Sequence, residues 1–316
     1  MGVTHAICQV STGWPAFAGH DRNIFARPCG RRSLNIAALT VRERLACACL
    51  FLIVATLPQL AASAPGCIPP VEVAHAKAVR VEKNGVIVLA DGRAARLEGV
   101  VLPAAAADHA PQVFADQAAA ALKNLTAGQH IDLAAGPPKE DRYGRIRAQI
   151  LVRQEGRESW LQEEMLRKGL ARVSIAPDRR ECAENLYDTE ASARREKAGI
   201  WSDASYAVRG PPETGADVGT FQIVEGTVAS VSRSAGRVFL DFGPDRHGDF
   251  AATISSDDLK RFREVGVDPF AYANETVRVR GWVERIGRRP EIEIATPEQV
   301  EIVETPQPHK DAAQPQ

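Results

Sequence analysis

Arg96-Leu-Glu-Gly-Val-Val-Leu-Pro103 and Asp141-Arg-Tyr-Gly-Arg145 are the two stretches that decide how this 316-residue chain folds. The first reads as a strand that stops at a proline, the second as a tight turn between strands. Upstream, Val86-Ile-Val-Leu-Ala90, the turn Asp91-Gly92 and Ala94-Ala-Arg-Leu-Glu98 make a hairpin pattern. Downstream, a helix is predicted with Asp108 as its cap and Pro111 in its first turn. Val113, Phe114, Ala118, Ala121, Leu122 and Leu125 share one face of it, and Gly128 ends it. Strands are expected at His130–Leu133 and Arg145–Val152, then a helix from about Glu158 to Gly169 and a strand over Ala171–Ile175. Asp178 with Glu181 three residues on has the form of a capping box and predicts a long helix ending at Gly199.

Four stretches in order resemble the thermonuclease (staphylococcal nuclease-like) family. Arg96–Pro103 is similar to the family's Arg-Leu-x-Gly-Ile-Asp-x-Pro-Glu strand, and Asp141–Arg145 to its Asp-Arg/Lys-Tyr-Gly-Arg turn. Leu161 through Leu170-Ala171-Arg172-Val173 is similar to its middle helix, and Glu190–Trp201, ending Gly-Ile-Trp, to its closing helix. The resemblance implies a five-stranded OB-fold barrel packed by three helices. It also implies phosphodiester hydrolysis with one calcium ion, held by two carboxylates, with a Glu assisting the attacking water and two arginines on the phosphate. A hard cation needs oxygen ligands, and arginine forks neutralise charge on the phosphoryl group.

Carried over residue by residue, the resemblance divides. Arg96 and Arg145 fall on the phosphate-binding arginines, and Tyr143 on the turn's tyrosine. The first metal carboxylate falls on Gly85, the second on Val101 and the general base on Ala104. No acid occurs from Gly99 to Ala107 or from Lys83 to Ala90, so a small shift of register restores nothing. The expectation is a domain whose enzymatic status is open: a pseudoenzyme without calcium or other cofactor that keeps an anion-binding arginine pair. The alternative is an active phosphodiesterase whose carboxylates are displaced to Glu98, Asp108, Asp132 or Asp141, with His109 as a further base; calcium belongs only to that reading. The structural readings of Glu98 and Asp108 are a solvated strand residue and a helix cap.

Outward from this segment the chain reads as an exported protein. Residues 45–57 are a nearly all-apolar run, preceded by Arg42 and Arg44 and followed by Ala61-Ala-Ser-Ala64. That is the plan of a signal peptide, too short for a comfortable membrane span. The leader is 1–64, with 1–40 read as a gene-model extension and 41–64 as the signal peptide. The alternative is an anchor through 45–64. After processing no stable membrane span is expected, and the location is periplasmic or secreted. Four of the six cysteines lie in the leader, leaving Cys67 and Cys182 as a disulfide candidate.

The thermonuclease-like domain is assigned to 71–207, a Pro/Gly-rich linker to 208–219, a second, smaller OB-like β-barrel to 220–304 and a disordered tail to 305–316. The second segment has candidate strands at Gly226–Ser232, Arg237–Phe242, Phe250–Ile254, Thr276–Arg285 and Glu291–Ala295, with a helix over Asp257–Val265. Its 11 basic residues are outnumbered by 15 acids, and the whole chain carries a net charge of −1 with 6% aromatics. A broad electropositive nucleic-acid surface is thereby excluded. One local basic group, Arg278, Arg280, Arg285, Arg288 and Arg289 with Trp282, either tracks a phosphate backbone or forms a solvated strand face paired with Glu291 and Glu293. Partners consistent with this pattern are nucleic acid, another anionic ligand or an envelope protein.

Overall fold

A computed structural model describes residues 65–154 and 156–303. The expectations for the leader and for the tail beyond 304 lie outside those residues.

Alternating apolar side chains build the first barrel. β1 (Val71–Val81) is followed by the hairpin β2 (Ile87–Leu89) and β3 (Ala94–Leu97), then β4 (Val100–Val101). Helices α1 (Ala105–Asp108) and α2 (Gln112–Thr126) lead to β5 (His130–Ala134), β6 (Ile146–Gln154) and β7 (Arg157–Trp160). Helix α3 (Leu161–Arg167), β8 (Arg172–Val173) and α4 (Ala183–Arg195) complete the segment. β1 pairs antiparallel with β2 and β5, β2 with β3, and β5 with β6. The parallel pairing of β3 with β6 closes the ring of five. Ile87, Leu97, Ile131, Leu133 and Ile150 are buried in one apolar core. Leu122 from α2, Leu166 from α3 and Leu186 from α4 join it. Closure leaves no free sheet edge within the ring. A disulfide joins Cys67 to Cys182, 115 residues apart in sequence.

Three helix starts differ from the sequence reading. α2 is capped by Pro111, while Asp108 ends α1 and turns its carboxylate back to the Ala104 N–H and to Arg172. Residues 157–160 extend as β7 because they pair with Leu151–Gln154, so α3 begins only at Leu161. α4 begins at Ala183, because the Asp178 carboxylate is taken by the Arg147 guanidinium and caps nothing.

The second barrel repeats the plan. β9 (Phe221–Thr227) and β10 (Ser230–Ser234) precede β11 (Arg237–Asp241), β12 (Ala251–Ile254), α5 (Leu259–Glu264), β13 (Thr276–Ile286), β14 (Arg289–Glu293) and β15 (Val300–Ile302). β13 joins β9 on one side and β14 on the other, and β12 lies parallel to β14. The helix again falls between the third and fourth strand positions, as in an OB fold. The single strand expected over Gly226–Ser232 is two strands, since Phe221–Thr227 pairs with β13 and Ser230–Ser234 with β11. Between the barrels, Pro211–Ala216 form a 3-10 helix, and the Arg209 guanidinium bonds Asp217 and the Ala204 and Ser205 carbonyls.

Both barrels fall within one compact unit. The β13 face carrying Arg278 and Arg280 is turned inward and not solvated, and of the basic group Arg289 meets Glu291 as expected. Arg280 is buried and donates to Glu190 of α4 at 2.6 Å and to Glu301 of β15. Arg278 bonds Glu225 and Glu301, while Arg289 takes Glu291 and Asp241. From the first barrel, buried Arg172 donates to the Phe221 carbonyl at 2.5 Å and to Asp108 at 2.6 Å, with the Tyr206 hydroxyl on the same carboxylate. Arg180 pairs with Glu298 across the same junction.

Candidate functional site

The turn between β5 and β6 is organised around one carboxylate. Asp141 accepts from the Tyr143 N–H at 2.9 Å, the Arg145 N–H at 3.1 Å and the Arg145 Nε at 2.7 Å. Gly144 closes the turn with an N–H to the Asp141 carbonyl. Burial pulls the Asp141 carboxyl upward, but the side-chain and backbone donations from Arg145 and Tyr143 outweigh it and hold the group below the usual carboxylate value. The tight turn pushes the Tyr143 ring outward, 64% exposed, with the Arg142 and Arg145 guanidinium groups 4.8 and 4.9 Å from its centroid.

β3 supplies the second arginine. Arg96 is half-buried and makes no ion pair among the described residues. Its neighbours are held: Arg145 by Asp141, Arg147 by Glu98 at 2.8 Å and Asp178 at 2.7 Å. Those two carboxylates raise the Arg147 pKa, Asp178 most.

Arg96 and Arg145 line a cavity of about 620 Å³ together with Gly85, Val101 and Ala104. The structure therefore brings all five of these sequence positions to one site. Among the described residues no carboxylate lines it. Leu102 fills the space over Gly85: a Cβ there would lie 2.2 Å from the Leu102 Cδ1, and the backbone at Gly85 has φ +79°. The position to which the sequence resemblance assigns the first metal carboxylate is thus closed to a side chain by conformation and by packing. A calcium ion needs several oxygen ligands, and this lining does not fit one.

The acids considered as replacements are engaged elsewhere. Glu98 is a buried partner of Arg147, not a solvated strand residue. Asp108 is buried against Arg172, Tyr206 and the Ala104 N–H. Asp132 accepts from the His75 N–H and pairs with Arg153. Asp141 holds the turn. His109 lies at the left-handed end of α1 and does not line the cavity.

A second cavity of about 690 Å³ shares Arg96 and Arg145 with the first and adds Tyr143, Arg142, Arg147 and Trp282. Trp282 comes from β13 of the second barrel, and the sequence reading attached it to a basic face of that barrel alone. Its signal was the alternation Arg278, Arg280, Trp282, which puts three side chains on one face of a strand.

Residues 94–203 match the family model described as staphylococcal nuclease homologue. The match begins at β3, so β1, β2 and Gly85 lie outside it although they close the same barrel. No curated protein matches the chain.

Proposed function

On the premise that residues 94–203 form a staphylococcal nuclease homologue domain, we propose that the protein binds a phosphate-bearing ligand through Arg96, Arg145 and Tyr143 and does not hydrolyse it. The carrying observation is the 620 Å³ cavity, which brings Arg96 and Arg145 together with Gly85, Val101 and Ala104 and which no carboxylate lines among the described residues. Among the described residues Arg96 makes no ion pair. Arg145, oriented by Asp141, presents its remaining N–H groups beside it. The side chains of Val101 and Ala104 can neither coordinate a cation nor accept a proton from water, so among the described residues the 620 Å³ cavity can hold a phosphodiester but offers no carboxylate to activate a nucleophile against it.

The protein is further read as exported to the periplasm or medium. The apolar run 45–57 after Arg42 and Arg44 supports this. So does the Cys67–Cys182 bond, which suits an oxidising compartment. Among the described residues no helix is long and apolar enough to cross a membrane.

Fluorescence anisotropy with a labelled oligonucleotide, run across salt concentrations with the full chain, tests the binding site. Binding should weaken with salt, and Arg96→Gln or Arg145→Gln should each lower the slope by about one phosphate contact. Unchanged affinity and slope in both variants would refute the site, and would leave an envelope protein contacting other surfaces as the partner to seek.

A further inference from the structure

We propose that the second barrel completes the arginine cleft of the first, with Trp282 serving as a stacking platform that makes the site selective for single-stranded nucleic acid. This rests on the phosphate-site reading above and goes beyond it by naming the ligand class. The 690 Å³ cavity is lined by Arg96, Arg142, Arg145 and Arg147 with Glu140 and Asp141; Arg145 is paired with Asp141 and Arg147 with Glu98 and Asp178, while Arg96 and Arg142 make no ion pair among the described residues. Two aromatic rings reach it from opposite barrels: Tyr143, 64% exposed, and Trp282, 46% exposed. An exposed tryptophan beside a cationic cleft is the combination that holds an unpaired base next to its phosphate. A duplex conceals the faces of its bases and cannot use such a ring.

Trp282 is also positioned. Its ring meets Phe221 edge-on at 5.9 Å between centroids. Phe221 is in turn clamped by Arg172 of the first barrel, whose guanidinium lies 5.1 Å from the Phe221 ring and donates to the Phe221 carbonyl. Two residues back on β13, Arg280 is buried against Glu190 of α4. The face of β13 that bears Trp282 is therefore locked to the first barrel at both points, and the ring meets the cleft without a rearrangement.

The test uses the full chain with three probes: a short oligothymidylate, the matching duplex and inorganic pyrophosphate. Trp282→Leu keeps an apolar contact for Phe221 but offers no ring face, and Trp282→Phe keeps one. The expected result is single-strand binding weakened about 5- to 150-fold in Trp282→Leu, near wild type in Trp282→Phe, with pyrophosphate binding unchanged in both. Thermal melting of each variant checks that the fold is intact. Equal single-strand affinity in wild type and Trp282→Leu, or duplex bound as tightly as single strand, overturns the platform while the phosphate site stands. Failure of the wild type to bind any of the three probes overturns both.

Discussion

Replacing Arg280 by methionine should destabilise the protein by breaking the junction between its barrels. Arg280 and Glu190 are almost wholly buried and 2.6 Å apart, so the variant leaves a carboxylate in the interior without its main counter-charge. Removing one partner of a buried pair costs ~3–5 kcal/mol. Glu190 keeps the Val173 N–H at 2.7 Å and Arg194 at 3.8 Å, which argues for the lower end, about 3 kcal/mol. For a unit of this size that corresponds to a fall in Tm of roughly 6–12 °C. Methionine can lie on the Tyr187 ring, over which the Arg280 guanidinium sits at 4.3 Å, so lost packing adds little. Adding Glu190→Gln removes the stranded charge while keeping an oxygen for the Val173 N–H, and should restore most of the loss. Differential scanning calorimetry of the two singles and the double gives the coupling energy. A loss under about 1 kcal/mol for Arg280→Met, or a double variant no better than that single, would refute a charge-paired junction.

Gly85→Asp should lower Tm chiefly because its Cβ would meet the Leu102 Cδ1 at 2.2 Å, the left-handed backbone costing aspartate less than most side chains; Leu102→Ala should relieve the steric part. Calcium raising the Tm of Gly85→Asp alone would contradict the closed-site account. Arg147, by hydrogen bonding, holds the Asp178 carboxyl below its ordinary value. A depressed carboxylate stabilises the fold above its unfolded pKa, near 3.8, and that stability is lost as pH falls through the lower folded value. Urea unfolding between pH 6 and 3 should therefore show a shallower acid limb in Asp178→Asn, and an unchanged limb would count against the pair. Reducing the Cys67–Cys182 bond should cost ~2–5 kcal/mol, because the cross-link closes a long loop in the unfolded chain; equal midpoints with and without reductant would show that the loop contributes nothing.

Local patterns carried much of this fold. The Val86–Glu98 hairpin, the apolar face of α2 and the turn at Asp141–Arg145 are all set by residues within a dozen positions of each other and are legible as such, except that Val113, assigned to the α2 face, stands exposed. What was missed involves partners far apart. Asp178 reads as a helix cap until Arg147, 31 positions away, takes its carboxylate. Asp108 reads likewise until Arg172, 64 positions on, does the same. Arg278 and Arg280 look like a solvated face because period-two alternation cannot say what lies opposite, and Glu190 is 90 residues distant. β15 was overlooked because a three-residue strand has too little pattern to register. At the site, Arg96 and Arg145 and the positions Gly85, Val101 and Ala104 that line one cavity could be named from sequence, as could Tyr143 beside it. That Leu102 covers Gly85 and that Trp282 joins from the other barrel are facts of packing.

The most direct test of the account is a cleavage assay of single- and double-stranded DNA and RNA by the full chain, with calcium and with chelator, run beside the binding titration. The account predicts oligonucleotide binding that Arg96→Gln weakens, with no calcium-dependent product. Calcium-dependent cleavage that disappears in Arg145→Gln would contradict it, and would mean that carboxylates outside the 620 Å³ cavity reach the phosphate.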